Sequence, residues 1–385
     1  MAKDRAYLDW NASAPISDTA RGAMLAALDL ANGSSVHAEG RAARHVIDEA
    51  RGDVAALVGA QAENVVFTSG ATEAAATLLT PHYRMGRSPL AVSRVHVLAT
   101  DHPCVLCGGR FPSDRVTAIG VDGEGVVDLP ALGVALARHD KNEGLALVAM
   151  QVANNETGVI QPIAEIGRAA REAGAIVVLD AAQAAGRIPL DVSDGSADFL
   201  ILSSHKIGGP KGAGAIVAAS GLMMPAPLLP GGGQEHGHRA GTENIAAIAG
   251  FGAAAREARA AVADVDAVRA MRDAIEAEIV RLAPDAIFYG HGAERLPNTV
   301  FFSLPGLKAE TAQIAFDLAG VALSAGSACS SGRVGPSHVL KAMGHDGEGG
   351  LRVSIGPRTT SPEVELFRTA LAGIAARRDA RREAA

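Results

Sequence analysis

Apolar and polar positions along the chain fall into two periods. Residues 65–67, 95–99, 145–150, 176–180, 199–203 and 215–218 are nearly continuous apolar runs, the pattern of strands buried on both faces. Residues 41–58 and 163–173 instead place apolar residues every three or four positions among Arg and Glu, the period of helices. Strands and helices alternate, which predicts a mainly parallel sheet covered on both sides. From 244 to 282 an Ala/Arg/Glu helical pattern outruns an ordinary globular helix, so a break or a bridge between two domains is expected there, with the boundary at 255–262. Beyond it, 286–289, 299–303 and 351–355 have strand patterns, and 309–318 and 363–376 helical ones. The expected division is a large α/β domain over 15–258 and a smaller α+β domain built from 1–14 and 259–385. The tail Arg377-Arg378-Asp379-Ala380-Arg381-Arg382 is a mixed charge run, the signature of a solvated helix end.

Composition narrows the function classes. With 385 residues, 48% hydrophobic and 20% charged, the chain has the makeup of a soluble globular protein with a substantial core. A net charge of −7 argues against non-specific nucleic-acid binding, and 3% aromatics leave few base-stacking platforms. The best apolar stretch, 213–229, is interrupted by Pro225 and Pro227, so no membrane span is expected. Met1-Ala2-Lys3-Asp4-Arg5 leads into no apolar region of a secretory signal. Three cysteines, of which one must stay unpaired within the chain, suit a reducing compartment, and a cytoplasmic location is the expectation.

The candidate chemistry centres on Lys206. It ends Phe199-Leu200-Ile201-Leu202-Ser203-Ser204-His205-Lys206, where an apolar strand gives way to two hydroxyls, an imidazole and an amine before the glycine-rich 207–212. A lysine at the mouth of a buried strand loses solvation and can form a Schiff base with a carbonyl cofactor. A second apolar strand ends in Asp180, and a lysine with an acid for a pyridinium nitrogen is the pair that pyridoxal phosphate needs. Ser69-Gly70-Ala71-Thr72, between a strand and a helix, offers small residues, free backbone N–H groups and a helix dipole to an anion, with a hydroxyl from Thr72. Ser203 and His205 supply further donors. A pyridoxal-phosphate enzyme is therefore expected.

Ser203-Ser204-His205-Lys206, Asp180-Ala181-Ala182-Gln183, Ala153-Asn154-Asn155-Glu156-Thr157-Gly158, Arg239-Ala240-Gly241-Thr242 and Gly326-Ser327-Ala328-Cys329 occur in an order that resembles the cysteine desulfurases. The likeness extends from Tyr7-Leu8-Asp9 to Arg352. It implies a homodimeric fold-type-I pyridoxal-phosphate enzyme that converts L-cysteine to L-alanine. By that resemblance Lys206 anchors the cofactor, Asp180 faces its ring nitrogen and Gln183 its phenolic oxygen. His102 stacks on the ring and moves protons. Thr72 and its neighbour Ala71, with Ser203 and His205, hold the phosphate, joined by Thr242 from the other subunit. Asn155 and Arg352 bind the substrate carboxylate, and Cys329 is the nucleophile that becomes a persulfide. The sulfur then passes to an acceptor such as an iron–sulfur scaffold protein.

The residues around Cys329 support a travelling thiol on physical grounds: 324–332 are small, with no large apolar side chain to pin them, and Arg333 lies four positions on. Residues 324–335 are expected to form a long mobile cysteine loop, the mark of the branch that serves iron–sulfur assembly or related thiolation. Cys104-Val105-Leu106-Cys107 lacks the second ligand pair of a zinc site and is expected to serve packing. No metal site is expected. An aminotransferase or selenocysteine lyase of the same fold type remains the alternative enzyme. A non-catalytic scaffold would have no use for the lysine, acid, phosphate donors and thiol together.

Overall fold

The computed structural model describes residues 5–326, 337–345 and 349–383. Within them, a nine-stranded sheet forms the larger layer. Its centre is Ser88–Leu98, Leu145–Gln151, Ile176–Asp180 and Phe199–Ser203, paired in parallel in that order. Gly214–Ala218 runs antiparallel to Phe199–Ser203, and Val65–Thr68 antiparallel to Gly214–Ala218. The continuous apolar runs have a direct cause. Val177 and Leu179 belong to one core cluster with Leu200, Leu202, Val148 and Met150, whereas Ile176 and Val178 belong to another with Phe199, Ile201, Leu147 and Ala149. Successive side chains point to opposite faces, and here both faces are covered. The first cluster is closed by helices Ala38–Leu57, Ile163–Ala173 and Ile245–Ala261, the second by Ala71–Leu78.

The long helical pattern does break. Helix Ile245–Ala261 is followed by a 3₁₀ turn, Val262–Asp264, and then by helix Val265–Leu282. Ile275 and Ile279 of the latter pack in a separate core with Phe302, Phe316, Val353 and Phe367. That core lies on a four-stranded sheet ordered Ile287–Phe288, Thr299–Ser303, Leu351–Ser354, Ser324–Ala325. Ala6 and Leu8 from the start of the chain join the same core, and strand Ala6–Tyr7 pairs with Val321–Ala322. The charged tail continues helix Ser361–Glu383 rather than leaving it.

One element escaped the periodicity. His82–Met85 and the first half of Ser88–Leu98 form a hairpin, and Met223–Pro225 adds to its edge. Met85 pairs with Ser88 across the two-residue turn Gly86-Arg87, and Gly86 has φ +58°, as a turn with glycine first requires. Gly86 and Pro89 disguise this stretch as a loop. Pro89 is tolerated because the strand acquires its parallel neighbour only from Val92 onward.

His96 makes the fold sensitive to acid. It is 1% exposed, both ring nitrogens are buried without a hydrogen-bond partner, and burial, reinforced by His139 and Arg94, lowers its pKa to about 4. The unfolded chain takes up this proton more readily than the folded one. The contribution of His96 to stability is therefore largely in place above about pH 6.5 and is lost, at up to roughly 1.4 kcal/mol per pH unit, as pH drops from there toward 4. His96→Leu is expected to flatten this limb. Urea midpoints of the apoprotein at pH 7 and pH 5 should differ less in the variant than in the wild type, and equal differences would refute the assignment.

Candidate active site

The parallel strands deliver their carboxyl ends to one place, as open α/β sheets do. Gln151 pairs with Asp180, and Asp180 with Ile201, so Asp180 and Ser203 finish neighbouring strands. By strand alternation Asp180 lies on the face of Ile176 and Val178, the face that carries helix Ala71–Leu78. A cavity of about 570 Å³ opens there. Ala71, Thr72, His102, Asn155, Asp180, Gln183, Ser203, His205 and Lys206 all line it, so nine of the expected site residues, separated by up to 135 positions, meet around one space.

Lys206 ends the 3₁₀ turn Ser204–Lys206 that follows its strand. Its Nζ donates to the carbonyls of Asn11 (2.6 Å) and Ala12 (3.0 Å), contacts that a Schiff-base nitrogen would give up. The Asp180 carboxylate is buried, which raises its pKa, while the Ala182 N–H at 3.0 Å and the charge of Lys206 work against that rise. A cationic ring nitrogen beside it would oppose the rise further. His102 caps the short helix Pro103–Leu106, its Nδ1 accepting from Cys104 N–H at 3.2 Å. Burial, then Lys206 and His338, lower the His102 pKa to about 4. The ring is neutral at pH 7, and with Nδ1 occupied as acceptor its proton sits on Nε2. His205 is likewise lowered to about 4 by burial, then by Lys206, Lys211 and Arg187. Helix Ala71–Leu78 begins at Gly70 with no side-chain cap, so its first-turn N–H groups are available to an anion. A lysine, a buried acid, an uncapped helix start and a cavity of this size fit pyridoxal phosphate.

Three expected residues stand apart. Thr242 does not line this cavity and is exposed beside a smaller one of about 200 Å³. Arg352 is 1% exposed, with Nη2 on Asp9 (2.7 Å) and Ser324 (3.1 Å) and Nη1 on the Asn155 carbonyl (3.0 Å). A substrate carboxylate could have both arms of this fork only by displacing Asp9. Cys329 and most of the expected loop lie outside the described residues.

Other residues emerge only from the structure. Asn11 is fully buried, and its side chain donates to Asn155 O (3.2 Å) and Thr299 Oγ1 (2.9 Å). Its carbonyl accepts from both Lys206 and Gln183, so it joins the start of the chain to the site. Its neighbours in Asp9-Trp10-Asn11-Ala12-Ser13 form no pattern that marks it. Asp101, fully buried, accepts from the Leu98 and Gln151 N–H groups and thereby fixes the turn that carries His102. The two cysteines of the C-x-x-C differ in position. Cys107 is exposed, whereas Cys104 lines the cavity with Sγ 3.0 Å from His102 Nδ1 and its thiol pKa pushed up by burial.

The aminotransferase class-V family profile matches residues 6–367. A cysteine desulfurase of Cereibacter sphaeroides is 39% identical over 94% of this chain and 93% of its own length. The chain belongs to the cysteine desulfurases of the class-V aminotransferase family. An Archaeoglobus fulgidus relative named cysteine desulfurase IscS 1 is 36% identical over 96% of both chains. Among solved structures, a NifS-like protein from Rickettsia africae superposes with a TM-score of 0.84 at 29% identity, covering 96% of this chain and 99% of that one. The apo cysteine desulfurase of Thermococcus onnurineus gives 0.81 at 25%, covering 97% and 95%. The fold is thus that of fold-type-I pyridoxal-phosphate enzymes, the family to which class-V aminotransferases belong. No helix among the described residues is long and apolar enough to cross a membrane.

Proposed function

We propose that this desulfurase takes sulfur from L-cysteine, releases L-alanine and passes the sulfur through a persulfide on Cys329 to an acceptor protein. The observation that carries the reading is the convergence of Lys206, Asp180 and His102 on one cavity at the uncapped start of helix Ala71–Leu78. Pyridoxal phosphate, when bound, supplies an electron sink for charge released at the substrate α-carbon. Lys206 would hold the cofactor and, once released from it, take the α-proton with its free amine. Asp180 would keep the ring nitrogen protonated, Gln183 would face the phenolic oxygen, and His102 would cover the ring with Nε2–H available to donate. Thr72, Ser203, His205 and the Ala71 N–H would grip the phosphate.

Asn155 lies at the cavity wall with its carbonyl on Arg352, so the two residues would act together on the substrate carboxylate once Asp9 exchanges. The Cys329 thiolate would attack the substrate sulfur. The new S–S bond forms as the carbon–sulfur bond breaks, and the carbon fragment takes up protons to become alanine. Incubating holoenzyme with L-cysteine and a thiol reductant should yield alanine and sulfide in equal amounts; alanine without sulfide would defeat the proposal.

Thr242 lies away from its own chain's cavity, which supports a role in the phosphate site of a second copy within a twofold dimer. Thr242→Ala is then expected to weaken cofactor retention without changing the dimer. A monomer with full activity in gel filtration and turnover assays would overturn this assembly.

A further inference from the structure

The end of helix Ser361–Glu383 carries arginines that the active site does not use. Arg377, Arg378, Arg381 and Arg382 line a cavity of about 290 Å³, closed on its other side by Leu307 and Thr311. None of these residues lines the cavity of Lys206. Asp285 accepts from Arg378 (2.8 Å) and from Arg382 (2.6 Å), and Asp379 accepts from Arg378 Nε (2.9 Å). Arg377 and Arg381 form no ion pair among the described residues, so four guanidinium groups face two carboxylates.

Cations at a helix carboxyl end are ordinarily explained by the helix dipole, and that suffices for exposed arginines. It does not account for Arg378. This side chain is 5% exposed, and its Nη1 is buried without a hydrogen-bond partner, an expensive arrangement unless something completes it. A second observation bears on the same place. Helix Ala309–Leu318 starts beside the cavity, with Thr311 in its first turn, and its N-cap Lys308 provides no side-chain cap. First-turn N–H groups left uncapped, a hydroxyl and several guanidinium forks are together the donor set of an oxyanion site. The volume is at the small end for ligand pockets, enough for an oxyanion group but not for a folded segment.

We infer that this cavity binds a phosphate-type oxyanion carried by a small molecule, at a site of the small domain separate from the cofactor. The test uses holoenzyme, in which the cofactor's own phosphate occupies the active-site cradle. Pyrophosphate and inorganic phosphate are titrated calorimetrically at constant ionic strength, with chloride as the reference. Pyrophosphate is expected to bind once per chain, and the exposed pair Arg377→Gln/Arg381→Gln to weaken it by about tenfold or more, one factor of ten being 1.4 kcal/mol. The melting temperature without anion and the turnover of L-cysteine should stay as in the wild type, which separates lost binding from lost folding. The inference fails if pyrophosphate gives no more heat than chloride, or if the double variant binds it equally well. It also fails if a hexaglutamate peptide binds while pyrophosphate does not, since the surface would then belong to an acidic protein segment.

Discussion

Lys206→Ala is expected to lower the turnover of L-cysteine by about 10⁴-fold, the scale for removing a group that both holds the reacting centre and moves its proton. The fold should survive. The Lys206 amine donates to the backbone carbonyls of Asn11 and Ala12, and Gln183 Nε2 also donates to the Asn11 carbonyl, at 3.0 Å, a bond that does not depend on the amine. Melting temperature should therefore move little, while borohydride treatment, which is expected to fix the cofactor to Lys206 in the wild type, should no longer attach it to the chain. A variant that keeps a tenth of the wild-type rate, or a borohydride label found on another lysine, would remove Lys206 from its role.

Much of this site was legible because its key residues end buried strands. An apolar run that stops at Asp180 or at Ser203-Ser204-His205-Lys206 announces polar chemistry where the chain leaves the core, and the structure brings these ends side by side. The same runs disclosed the sheet, since strands buried on both faces cannot be mistaken for amphipathic helices. Contacts made across long separations were not legible. Nothing near Asn11 in sequence indicates that its side chain will reach Asn155 and Thr299, and nothing near Arg352 indicates that Asp9 will pair with it. Cys104 was hidden by its apolar neighbours: Val105 turns into the core, while the one-turn helix leaves Cys104 against His102. Thr242 lies outside the cavity of its own chain, and the role proposed for it requires a second copy.

The second large effect separates cofactor chemistry from sulfur transfer. Cys329→Ala and Cys329→Ser should bind cofactor as the wild type does, because the groups that would hold it line the cavity from other parts of the chain. Sulfur release should fall by at least about 100-fold, because neither a methyl group nor an alcohol can accept a sulfur atom as a persulfide. Cys107→Ala should leave turnover unchanged, since that thiol is exposed and outside the cavity. Cys104→Ala removes the sulfur packed against His102 and should cost no more than a few-fold. Alanine production in a steady-state assay, measured beside cofactor absorbance, distinguishes these cases.

In the proposed reaction sulfur leaves cysteine for a thiol of this chain before it reaches any acceptor. This step is tested most directly by exposing wild-type holoenzyme briefly to L-cysteine without reductant, alkylating, and mapping the added sulfur by peptide mass spectrometry. One extra sulfur atom is expected on Cys329 and none on Cys104 or Cys107. Extra sulfur on either of the other two cysteines, or alanine formed at the wild-type rate by a Cys329→Ala variant, would contradict the proposed reaction.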